Sequence, residues 1–243
     1  MDSYAEYVVA FLDILGFKNI INTEDFENVR QIFLAIISEK DAKIALTKAI
    51  GSTDPKGTSL TRYNQILREE LKIHIMSDSV VVAAPCQFPQ SLAVVIDVCM
   101  IIQQKLFDLE QPIFLRGAIS KGNFYVDNNM IFGKALVNAY IAQENYAEYP
   151  RIILSDEVQS GMDNTIINED DLLRDDDGYW YINALESYID FPAWDGLEKN
   201  PKYKKLRNKI DQQLSGYADS SVRKKYLWLK RKLNDIEFKA SCY

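Results

Sequence analysis

Residues Tyr7 to Leu12 (YVVAFL) form an apolar run rich in β-branched and aromatic side chains, and an aspartate follows at once. Such a run suits a central strand buried on both faces. It places a central sheet strand near the start of the chain. The next residues, Asp13-Ile14-Leu15-Gly16-Phe17-Lys18, end the strand on a charge and turn at a glycine. Helical spacing then takes over at Phe26, Val29, Phe33 and Ile36/Ile37, with Asp25 as a plausible cap.

Further along, Gly51 to Gly57 is a turn-rich loop. Leu71 to Met76 and Val80 to Ala84 are apolar runs separated only by Ser77-Asp78-Ser79, a tight hairpin or a bent strand. Pro89 to Phe107 reads as a buried helix and Ile113 to Ser120 as a strand. Beyond Lys121-Gly122-Asn123 lies a second extended run, Phe124-Tyr125-Val126, and a turn at Asp127-Asn128-Asn129. Gly133 opens a helix to about Ala147, Pro150 to Leu154 is a strand, and Ser155-Asp156-Glu157 starts another helix with its own cap. The order β-α-β-β-α-β-β-α-β predicts an α+β sheet with helices on one face, in a split β-α-β arrangement. Residues 1–160 make a core; residues 161–243 are an extension of a strand plus a helical pair, the helices at about 201–215 and 219–236.

Charge sets the tail apart. From Lys199 to Lys232 there are twelve Lys/Arg against two Asp, +10, so with a total of −7 the remainder carries −7 − 10 = −17. The whole is therefore not a nonspecific nucleic-acid binder. The basic tail fits amphipathic helices with Tyr226, Leu229, Leu233 and Ile236 inward. Three cysteines without a CxxC pair, and a single histidine, His74, exclude a Cys/His zinc site and suit a reducing compartment. Met1 to Glu6 is acidic where a signal peptide is basic, and Leu92 to Ile102, interrupted by Asp97, is too short to span a bilayer. The expectation is a cytoplasmic protein that binds neither membrane nor nucleic acid.

Two aspartates stand at the ends of apolar strands. Asp13 closes the first run and Asp78 sits in the hairpin bend. A carboxylate flanked by apolar sequence is costly to bury unpartnered, and two that face each other demand a cation. Their hard oxygens, completed by water and phosphate, suit Mg²⁺ or Mn²⁺, and two such ions clamp an in-line phosphoryl displacement. Gly16 lets backbone amides approach phosphate oxygens. Both aspartates are equally at home as ordinary turn residues.

In this order the motifs resemble class III nucleotidyl cyclases: Phe11-Leu12-Asp13-Ile14-Leu15-Gly16-Phe17, then Ser77-Asp78, Leu115-Arg116-Gly117 with Gly122, Gly133 to Ala139, and Arg151 to Ser155. The resemblance covers about residues 5–160. It implies a ferredoxin-like class III nucleotidyl cyclase fold with a C-terminal helical extension, and a head-to-tail homodimer with active sites at the interface. It implies two Mn²⁺ or Mg²⁺ ions held by Asp13, Ile14 and Asp78. The backbone from Ile14 through Leu15 and Gly16 to Phe17 would support the triphosphate, and Asp13, Asp78, Asn138 and Arg116 would be catalytic.

The departures narrow the substrate. His74 stands where purine cyclases carry the adenine-reading Lys, and Met130 where they carry the Asp. The transition-state Asn falls on Val137, one place before Asn138, and the Arg on Ile141. With Lys225-Tyr226-Leu227-Trp228-Leu229 in the tail, the pattern is similar to the stand-alone pyrimidine cyclases of the bacterial antiphage systems called Pycsar. The resemblance thus implies conversion of UTP, in preference to CTP, to the cyclic monophosphate and pyrophosphate, with a separate effector activated by the product. The same departures also fit a cyclase-like module that binds nucleotide or dimerises without turnover.

Overall fold

The apolar run becomes the middle of strand β1 (Ala5–Ile14) in a computed structural model that describes residues 4–37, 58–127, 129–162, 169–189, 196–216 and 220–241. Alternate residues serve two cores. Val8, Ala10, Leu12 and Ile14 join the larger cluster, while Val9, with Tyr7 and Phe11 against it, joins a smaller one on the opposite face. After β1 come α1 (Phe17–Thr23), α2 (Phe26–Ile37) and α3 (Thr58–Gln65), the last running into a π-helical turn at Ile66–Glu70. The hairpin β2 (Lys72–Met76) and β3 (Ser79–Pro85), helix α4 (Ser91–Asp108) and strand β4 (Leu115–Val126) follow. The sheet order begins β2-β3-β1-β4, with β3 antiparallel to β2 and β1, and β4 antiparallel to β1. That is the split β-α-β, ferredoxin-like order the sequence predicts.

The sheet then continues. β5 (Ile131–Gly133) folds back on β4, and α5 (Lys134–Tyr146) follows. β6 (Ile152–Leu154) runs parallel to β4 and leads to α6 (Asp156–Ser160). β7 (Leu172–Arg174) and β8 (Trp180–Ile182) complete one eight-stranded sheet, with β8 antiparallel to β6. α7 (Ala184–Ile189) and the helical pair α8 (Pro201–Gly216) and α9 (Ser220–Ser241) end the described chain.

Two expectations are corrected. Helices do not keep to one face: Ala135 and Leu136 of α5 pack on Val9, Val81 and Ala83, opposite the core that holds α4. Strands β1 and β3 are apolar on both faces, so neither face can stay wet. Second, residues 113–120 and 124–126 are not separate runs. Pairing with β1 continues unbroken through Lys121↔Val8, Gly122↔Tyr7 and Asn123↔Glu6, because a polar side chain on an outer face costs the ladder nothing. The loop at 51–57, Asn128 of the predicted turn and Cys242 lie outside the described residues. Among those residues no helix is long and apolar enough to cross a membrane, and Cys86 and Cys99 are free thiols.

The tail's charge is used against the core. Trp228, Leu229, Leu233 and Ile236 are buried, and Tyr226 is half-buried. In the turn between β7 and β8, Asp175 accepts from Arg151 Nη1, from Trp228 Nε1 at 2.7 Å, from Lys232 Nζ at 2.9 Å and from Arg231 Nη2 at 3.3 Å. Arg231 also reaches Asp176, and Arg151 reaches Asp177.

Candidate active site

The exit of β1 is held from two sides. Ile14 N donates to Asp78 O at 2.8 Å, and Leu15 N to Phe114 O at 3.0 Å. Gly16 then turns with φ +77°, a left-handed conformation that favours glycine, and its carbonyl accepts from Asn19 N and Ile20 N to begin α1. The Ile14 side chain is fully buried and the Phe17 ring lies edge-on to Phe33. What Ile14 to Phe17 can offer a ligand is therefore mainly backbone.

Asp78 sits in the two-residue connection between Met76 and Ser79, which are paired across the hairpin. Ser77 before it has φ +58°, the sole positive φ of a non-glycine residue among the described residues. The Ile14–Asp78 bond brings the second aspartate to the residue adjoining the first. Pairing Asp13↔Ser79 and Asp13↔Arg116 sets those neighbours beside Asp13 on the sheet.

Arg116 occupies Asp13. Its Nε donates to Asp13 Oδ2 at 2.8 Å and its Nη2 to Glu144 Oε1 at 3.1 Å. With the amide of buried Gln143 oriented by the hydrogen-bond network, its oxygen accepts from Arg116 Nε and Nη2 at 2.8 and 2.9 Å. Arg116 and Asp13 side chains each keep 21% of their surface exposed, so the pair stands at the protein–water boundary.

The two predicted base readers each relate to a third residue, Asp127, one through space and one through its backbone amide. His74, half-buried on edge strand β2 and paired with Val81, lies close enough to act electrostatically on Asp127. Asp127 follows β4 and accepts from Asn129 N and Met130 N, each at 2.7 Å. Those two amides, then Tyr125 and His74, hold its carboxyl below the usual range. Met130 is exposed, and its carbonyl accepts from Asp127 N. Asp127 is not among the site residues singled out from the sequence, although an Asp at a strand end beside two Asn is a visible signal. Glu144, which shares Arg116, gave none. Asn138 donates to Glu157 Oε1 at 3.2 Å, and the structure does not bring it to Asp13 or Asp78 within the chain.

Among the described residues no group of three His, Cys, Asp or Glu stands ready to hold a metal. Two carboxylates at neighbouring strand ends are nonetheless a hard-oxygen donor set that fits Mg²⁺ or Mn²⁺ with water and phosphate completing the shell. No family model and no curated protein matches the chain. Among solved structures, the crystal structure of the adenylyl cyclase CyaB from P. aeruginosa is similar at 15% identity and a TM-score of 0.49, over 73% of this chain and 93% of that one.

Proposed function

We propose that the chain is a metal-dependent nucleotide cyclase acting on a pyrimidine nucleoside triphosphate, UTP before CTP. The observation that carries this reading is the joining of Asp13 and Asp78 at the exit of β1 through the Ile14–Asp78 hydrogen bond. Asp13 and Asp78 would hold a divalent ion there, and the ion would supply charge neutralisation and a lowered pKa at the 3′-hydroxyl. The reaction forms a bond from the ribose 3′-oxygen to the α-phosphorus as the bond from that phosphorus to the oxygen bridging to the β-phosphate breaks; the 3′-hydroxyl proton passes to water and pyrophosphate leaves.

The chain's own part is positioning and charge. Asp13 and Asp78 fix the ions, with Arg116 giving up or sharing Asp13 and turning its donors to phosphate. The backbone of Ile14 to Phe17 steadies the triphosphate. His74 reads the base beside Asp127 and Met130. An imidazole can donate to a uracil carbonyl or accept from a cytosine amine, and it lacks the fixed positive charge of a lysine.

A homodimer is part of the reading. Tyr4, Met130, Phe132, Val137, Tyr140, Ile141 and Tyr146 are large apolar residues left exposed around β5 and α5, and exposed apolar patches mark interaction surfaces. A partner there would bring Asn138 to the other chain's aspartates. The resemblance to the Pycsar branch supports a cytoplasmic role in antiphage defence, with the cyclic nucleotide acting on a separate effector.

Purified protein with Mn²⁺ and each of the four nucleoside triphosphates in turn is expected to yield a cyclic pyrimidine monophosphate by mass spectrometry. A clear preference for ATP would overturn the pyrimidine assignment. A second reading, a module that binds nucleotide without turnover, is favoured by Arg116 on Asp13 and Asn138 on Glu157. It predicts triphosphate binding and no product.

A further inference from the structure

Helix α9 is rich in cations, and most have visible work. Arg223 donates to Leu214 O, Lys230 pairs with Asp211, Arg231 with Asp175 and Asp176, Lys232 with Asp175, and Lys239 with Glu186. Lys225 is different. It is half-buried, yet among the described residues it makes no hydrogen bond or ion pair. Burial pulls its ammonium down from the ordinary lysine value, and nearby Arg116 pulls the same way, against Asp13, Glu148 and Glu144. A lysine set into protein beside an arginine, with Asp13, Glu144 and Glu148 near but none bonded to it among the described residues, has donors left over for an anion.

Its place is fixed by its neighbours. The Tyr226 ring stands edge-on to Phe114, whose carbonyl holds Leu15 N at the turn after Asp13. Tyr226 also lines a cavity of about 720 Å³ together with Leu15 and Gly16. Trp228, one turn further on, is buried and tied to Asp175, while Leu229 and Leu233 enter the core. The helix can neither slide nor roll without breaking these contacts, so Lys225 stays at the β1 exit.

We propose that Lys225 is a phosphate-binding residue supplied by the C-terminal extension, with the triphosphate chain of the substrate as that anion. This deepens the cyclase reading and rests on it. It gives the tail a role in the site besides packing. A polyanion entering this end meets Asp13, Asp78, Glu144 and Glu148, with Arg116 as an opposing charge beside Asp13.

The test uses the full chain with Mn²⁺ and two probes, inorganic tripolyphosphate and an α,β-methylene pyrimidine triphosphate, followed by calorimetry. A charge-assisted hydrogen bond is worth about 1.5–3 kcal/mol, so Lys225→Gln should weaken both probes about 10–100-fold. Lys225→Arg should recover most of that loss. Lys224→Gln, an equal charge change at the exposed neighbour, should shift affinity less than about twofold. Steady-state kinetics of Lys225→Gln should show the loss chiefly in KM, at an unchanged melting temperature. Unchanged probe affinity in Lys225→Gln, with the unmodified protein binding both, would overturn the role of Lys225 alone. Equal weakening by Lys224→Gln would also overturn it, reducing the effect to general charge. No binding of either probe to the unmodified protein would overturn the cyclase reading, and this role with it.

Discussion

Asp13 and Asp175 both meet an arginine, and they are built oppositely. The Asp175 side chain is 3% exposed and takes four donors from Arg151, Trp228, Lys232 and Arg231. Burial alone would raise its carboxyl; Lys232, Trp228 and Arg151 hold it below the ordinary value instead. Asp13 is half-open at a strand end, holds one donor from Arg116, and stands next to a second carboxylate-bearing residue. A carboxylate satisfied on all sides is part of the fold. One that is exposed and under-partnered can change partners, and a ligand site needs that freedom.

The comparison breaks most sharply by mutation. Asp13→Ala or Asp78→Ala should abolish cyclic nucleotide formation while thermal stability stays within roughly 1 kcal/mol of the unmodified protein, since neither change opens a core cavity. Near-normal turnover with Mn²⁺ in either variant would end the two-carboxylate assignment. Asp175→Ala should do the reverse. It strands Arg151, whose side chain is 1% exposed, with only Asp177, and it cuts the tail's main tie. Breaking a buried pair costs about 3–5 kcal/mol, on the order of 10 °C in Tm for a chain of this size. Calorimetry on the two sets of variants should separate site from scaffold.

That contrast was only partly legible beforehand. Tyr7 to Leu12 announces β1, and the short spacing around Ser77-Asp78 announces the hairpin, because both signals are local. The Asp13–Arg116 bond is not local: it depends on how β4 registers against β1, across 103 residues. Asp175-Asp176-Asp177 reads as a solvated turn, and its partners Arg231 and Lys232 lie more than fifty residues on. β7 and β8 are three residues each, too short for a periodic pattern. The basic run from Lys199 to Lys232 was plain, but composition cannot say which cation pairs with the core and which, like Lys225, does not.

A third carboxyl sharpens the comparison by pH. Asp97, on α4, accepts from the Tyr63 hydroxyl, and no cation among the described residues is named as acting on it. Burial pushes its carboxyl up to about 7, with Asp171 adding to the rise and the Tyr63 bond opposing it. The folded state thus holds this proton more tightly than the unfolded chain. Its stabilising contribution is full below about pH 4, the unfolded value, and is lost as pH rises through about 7. Asp175 has the opposite sign: its folded value is lowered, so its contribution is present above about pH 4 and is lost as pH falls through the folded value. In Asp97→Asn, melting curves from pH 4 to 8 should lose the decline toward neutral pH. An unchanged profile would assign that decline to other groups.

The smallest effect probes strain at the site's end of the sheet. Ser77 carries φ +58°, where a Cβ crowds the backbone, while the Asp175 turn spends a glycine, Gly178 at φ +89°, on the same need. A non-glycine residue held there costs about 1 kcal/mol or more, and glycine relieves it at a smaller entropic cost in the unfolded chain. Ser77→Gly should therefore raise stability by roughly 0.5–1 kcal/mol, read as a shift in the denaturation midpoint at constant slope. Activity is the sharper reading. If the strained turn is what aims Asp78 at the ion, the more stable variant should lose a few-fold in turnover at saturating Mn²⁺, through a looser carboxylate. If the turn only closes a hairpin, stability rises and turnover stays, and Asp78 is then held by the Ile14–Asp78 bond rather than by Ser77.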